Sequence, residues 1–160
     1  MQVDPFHQAH QVFVAISHVL GEAFSLNDLV ELTELQRGKP LQIEQDTMPI
    51  AMTGYCLALQ DVDLICTRAG LDDVLLQATR LHEIAHLLLG HVPLLSNGSA
   101  TPAYAVFRSR RDLHHALHRS SSLLCTSQQE KAAEVLATFF GHGLSQEAAS
   151  PPRLARDLHG

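Results

Sequence analysis

Apolar positions recur every three or four residues over several stretches of this chain. Phe6, Val12, Phe13, Ile16, Val19 and Leu20 follow that spacing behind Asp4-Pro5, an N-cap followed by a proline at the first helical position. This predicts an amphipathic helix over 5–23. Ser25 can cap a second helix over 26–36 carrying Leu29, Leu32 and Leu35, and Gly38 and Pro40 end it. Residues 41–45, 51–59 and 62–68 read as three strands, with Asp61 near the last turn. Asp72 then caps a long helix over about 73–90, with no Pro or Gly from 71 to 89. A further helix over 128–140 can be capped by Thr126 or Ser127.

The 73–90 helix carries candidate chemistry. Residues 81–88 read Leu-His-Glu-Ile-Ala-His-Leu-Leu, which contains H-E-x-x-H. His82 and His86 are one turn apart and share a face, so two imidazoles can grip one zinc ion. Glu83 can take a proton from a water on that ion. Ile84, Ala85, Leu87 and Leu88 are apolar and suit a buried, dry site. A zinc site of this type needs a third protein ligand. His91 misses the metzincin spacing, and on a continued helix it would point nearly opposite His82. It reads instead as a C-terminal helix residue favoured by the helix dipole. The helix over 128–140 offers Glu130 and Glu134, spaced i, i+4 so that both can face one site. Glu130 also sits at the capping-box offset from Ser127. Ala133 and Ala137 are small enough for close approach to the His82–His86 helix.

These motifs together resemble the ImmA/IrrE-type metallopeptidases. The features that carry the resemblance are Arg-Gly-Lys-Pro-Leu-Gln-Ile at 37–43, Val62-Asp63-Leu64-Ile65-Cys66 before the motif helix, the H-E-I-A-H-L-L-L run, and E-x-x-A-x-x-x-A from Glu130. They cover roughly 35–140. The resemblance implies an α+β zincin-like metallopeptidase domain with a small, mostly antiparallel sheet packed on the motif helix. It implies zinc held by His82, His86 and Glu130, with Glu83 as general base. It also implies a protein substrate, a helix-turn-helix repressor that the enzyme cleaves or inactivates. A non-catalytic zinc-bound module, sequestering a regulator or serving in a toxin–antitoxin pair, is the alternative.

Composition narrows the rest. The 160 residues suit one domain, expected over 1–145, with 146–160 as a poorly ordered tail. A net charge of −6 argues against a nonspecific nucleic-acid surface. No apolar run approaches the ~20 residues needed to span a bilayer, and the N-terminus has no secretory pattern. Cys56, Cys66 and Cys125 lack metal-type spacing and read as reduced thiols, giving a cytoplasmic expectation. Cys56 and Cys66 could face each other across a hairpin. Residues 107–119 suggest a basic helix with Arg108, Arg110, Arg111 and Arg119. His114 and His118 there are spaced as a second pair, but no adjacent acid accompanies them.

Overall fold

The computed structural model describes residues 3–92 and 125–144. Among these residues four helices and three strands follow one another as α1 (Pro5–Leu20), α2 (Leu26–Arg37), β1 (Leu41–Asp46), β2 (Gly54–Ala58), β3 (Asp63–Arg68), α3 (Asp73–Leu88) and α4 (Ser127–Leu144). The class is α+β. The segment 93–124, with the basic stretch and the His114–His118 pair, and the 146–160 tail lie outside the described residues.

Local signals set the helix ends. The Asp4 carboxylate accepts from the Phe6 N–H at 3.2 Å, and Gly21 at φ 85° stops α1 three residues earlier than its periodicity predicts. Ser25 and Asp28 close a reciprocal capping box on α2, at 2.9 and 3.0 Å. Asp72 accepts from Leu75 N–H at 2.9 Å and starts α3.

The sheet order is β1-β3-β2. β2 and β3 form the antiparallel hairpin, but β1 runs parallel to β3, with Leu41 opposite Asp63. The sheet is therefore mixed rather than mostly antiparallel. Side-chain alternation tells which face a residue takes, not which strand lies beside it. The chain turns at Pro49–Met52 and reaches the far side of β3 before forming β2, which is also why β2 starts at residue 54 and not 51. In this register Cys56 lies opposite Ile65 and Cys66 opposite Tyr55. Cys56 packs on the helical side of the sheet and Cys66 on the other, so they do not face each other, and all three cysteines are free of disulfides.

The main core lies between that sheet face and the helices. Ile65, Ile84, Ala85, Leu87, Ala133, Leu136 and Phe140 are buried in it. A smaller cluster of Met48, Tyr55, Leu57, Leu59, Leu64 and Cys66 fills the opposite face. β3 is buried on both sides, as befits a central strand. α1 packs on α4, and α4 packs on α3, so α3 is held between sheet and helices.

Two contacts fix the sheet to this frame. Asp63, 1% exposed, accepts from Arg37 Nε at 2.8 Å and Nη2 at 3.1 Å and pairs with Lys39 Nζ at 3.2 Å. The arrangement anchors the end of α2 to the start of β3. Gly54 lets β2 reach α3: a Cβ there would lie 2.6 Å from Thr79 Cγ2 and 2.9 Å from the Cys66 carbonyl oxygen. Removing the acid leaves two cations beside a buried gap. Asp63→Ala should therefore lower the unfolding free energy in urea by about 3 kcal/mol. Gly54→Ala should cost about 2 kcal/mol, because the backbone oxygen cannot step aside as a side chain can.

Candidate metal centre

α3 presents His82 and His86 from consecutive turns, with ring centroids 4.7 Å apart. α4 brings Glu130 to them. His82 Nε2 lies 3.1 Å from His86 Nε2 and 3.1 Å from Glu130 Oε2, and His86 Nε2 lies 3.3 Å from Glu130 Oε1. Those three residues form a group able to hold a metal ion. The spacing suits the task. Ligand atoms at ~2.0–2.1 Å from a tetrahedral ion are separated by about 3.3 Å. Two neutral imidazoles and one carboxylate are also a donor set that zinc accepts.

Glu130 is free for this role because another residue caps the helix. Thr126 Oγ1 accepts from Gln129 N–H at 3.1 Å, and Gln129 Oε1 accepts from Thr126 N–H at 3.0 Å. The capping box is thus Thr126–Gln129, not Ser127–Glu130. Glu130 stands in the first turn of α4, where the helix dipole favours a carboxylate. Ala133 is fully buried and gives the close approach of α4 to α3. Glu134 does not join the group; its carboxylate pairs loosely with Lys131 at 3.9 Å. It lines a groove of about 630 Å³ that runs from His82 between α3 and α4, past Ala78, Leu81, Ala137 and Gly141.

The site is graded from buried to open. The His86 side chain is 5% exposed, His82 26% and Glu130 46%. Burial, and then the neighbouring His82, push the His86 imidazole down to about 4, so it is neutral and ready to ligate at pH 7. Glu83 is buried on the sheet side of α3, and burial raises its carboxyl above the ordinary value. Its hydrogen-bond partner is the thiol of Cys56 on β2, which burial in turn pushes well above the ordinary thiol value.

His91 departs from expectation. It is buried, and its Nδ1 lies 3.2 Å from His86 Nδ1. α3 does not continue to 90. It ends at Leu88, and Gly90 turns into the left-handed region at φ 72°. Gly90 N–H then donates to the Leu87 carbonyl at 3.2 Å and His91 N–H to the His86 carbonyl at 3.0 Å. That is a Schellman closure, which sets the residue after the glycine against the residue five before it. The Leu-Gly-His ending was the sequence signal for it. Cys125 also reaches this corner, with Sγ 3.8 Å from His86 Nδ1. Burial, and then Glu130, push its thiol up to about 11.

No protein-family model, curated protein or solved structure matches the chain.

Two outcomes check the site. Equilibrium dialysis against zinc ions should give one ion per chain, with affinity falling by at least tenfold in Glu130→Ala and staying nearly constant in Glu134→Ala. The second concerns acid. The unfolded chain protonates His86 near 6.5, whereas the metal-free fold holds it neutral down to about 4. The unfolded state binds the extra proton in that window, so this stabilisation is present above 6.5 and lost as pH falls toward 4. Glu83, raised above 4.5, acts with the opposite sign just above that value. Urea unfolding from pH 7 to 4 should therefore show a shallower acid loss in His86→Leu than in the parent protein.

Proposed function

We propose that the chain is a zinc-dependent endopeptidase of the ImmA/IrrE type, with a zincin-like fold. The observation that carries this is the convergence of His82, His86 and Glu130, with Glu83 one residue along the same helix. Bound zinc would supply a Lewis acid that makes water nucleophilic near neutral pH and polarises the scissile carbonyl. The chain's own residues do the rest. His82 and His86 would hold the ion from one helical face, and Glu130 would add one negative charge from the open side. Glu83 takes the proton from the attacking water and passes it to the leaving amine. Its burial favours the protonated form needed for the second half of that cycle. The Cys56 thiol donates to the Glu83 carboxylate and steadies it while charged. The substrate we propose is a protein, a helix-turn-helix repressor, in the cytoplasm. Among the described residues no helix is long and apolar enough to cross a membrane.

One observation favours the alternative of a zinc-bound module that sequesters a regulator without cutting it. Glu83 is only 8% exposed and is turned toward Cys56, so water must be admitted before it can act as a base.

The Glu83→Gln variant separates the two. It preserves shape and removes the proton acceptor. For the peptidase, zinc content and melting temperature should stay close to those of the parent. Cleavage of a candidate helix-turn-helix repressor, followed by mass spectrometry, should fall by about 10²–10⁴-fold. Regulation in cells that is unchanged by Glu83→Gln would favour the sequestering module.

A further inference from the structure

His86 has two ring nitrogens and the metal group uses one of them. Nε2 faces His82 Nε2 and Glu130 Oε1, at 3.1 and 3.3 Å. Nδ1 faces the other way, toward His91 Nδ1 at 3.2 Å. His91 is 7% exposed, and its backbone N–H is bonded to the His86 carbonyl at 3.0 Å. Both its main chain and its ring are therefore tied to the same residue. The Schellman turn at Gly90 is what holds them there.

A neutral imidazole carries one proton. If the Nε2 lone pair faces a cation, that proton is on Nδ1. Two Nδ1 atoms at 3.2 Å share one hydrogen bond, so one ring donates and the other accepts. We propose that His91 is a positioning residue of the metal centre: its Nδ1 accepts from His86 Nδ1–H and so fixes the tautomer and ring plane that aim His86 Nε2 at the ion. His91 then carries its own proton on Nε2. A metal-bound histidine commonly donates to a carboxylate or a backbone carbonyl. A neutral ring in that place orients the ligand without adding negative charge behind it. Among the described residues Cys125 Sγ also lies beside His86 Nδ1, at 3.8 Å, and a thiol sulfur is the weaker acceptor.

The inference rests on the metal reading, and one experiment distinguishes the two. The full chain is labelled with ¹⁵N in histidine, loaded with one equivalent of zinc chloride, and its ring ¹H–¹⁵N spectra are recorded. The expected spectrum shows His86 protonated on Nδ1, with that proton protected from solvent exchange, and His91 protonated on Nε2. His91→Leu removes the acceptor while keeping apolar volume. It should expose the His86 proton to exchange and weaken zinc binding by about 10–100-fold in chelator competition. His91→Asn places an amide oxygen near the Nδ1 position and should recover most of both losses. Cys125→Ala should leave both readouts unchanged. A parent spectrum with His91 protonated on Nδ1, or His86 unprotonated there, overturns the proposal whether or not the leucine variant folds. So does zinc affinity that is unchanged in His91→Leu but lost in His82→Ala, which leaves the metal centre standing. A parent chain that binds no zinc overturns both.

Discussion

Three electron-pair donors point at one another across the gap between α3 and α4, none more than 3.3 Å from the next. Such a cluster repels itself unless protons or a cation sit within it. His86 resists protonation because it is buried beside His82. A neutral imidazole can still place its one proton on Nε2 and donate into the cluster, and a divalent cation is the other way to hold it, since these three residues form a group able to bind a metal ion. The packing that imposes this convergence is also the core of the fold. Ile84, Ala85 and Leu87 on α3 and Ala133 and Leu136 on α4 are buried between the same pair of helices. The helix backbones that carry the donors cannot move apart without opening that core.

The sheet serves the same end from the other side of α3. Gly54 brings β2 within reach of Thr79, and Cys56 on that strand meets Glu83. The motif helix thus has one edge that carries the His82–His86 pair and another that carries Glu83, each held by a different element. The Asp63 cluster with Arg37 and Lys39 pins the central strand behind them. His86 is nearly enclosed while Glu130 is half open, so an ion and a ligand would be approached from the α4 side, where the groove from His82 begins.

Much of this was legible in the sequence because it depends on local periodicity. The i, i+4 spacing put His82 and His86 on one face, and Asp4, Ser25 and Asp72 marked helix starts that the hydrogen bonds repeat. Glu130 was harder. Its offset from Ser127 imitated a capping box, and only the Thr126–Gln129 pair shows that the carboxylate is free to reach the histidines. Strand partners were not legible, because β1 pairs with a strand two elements later in the chain. His91 was misplaced for a simple reason: a helix wheel extended past Leu88 sends it outward, whereas a left-handed Gly90 folds it back onto His86. Cys125 and Cys56 had no sequence signal at all; their places beside His86 and Glu83 come from tertiary packing.

X-ray absorption at the zinc edge reads the donor atoms around the His82–His86–Glu130 group without reference to activity. The chain loaded with one equivalent of zinc should show nitrogen and oxygen neighbours at about 2.0–2.1 Å in a four-coordinate shell, with the multiple-scattering pattern of two imidazoles. Sulfur at about 2.3 Å would place Cys125 or Cys56 on the metal and contradict the account, as would a spectrum with no imidazole scattering.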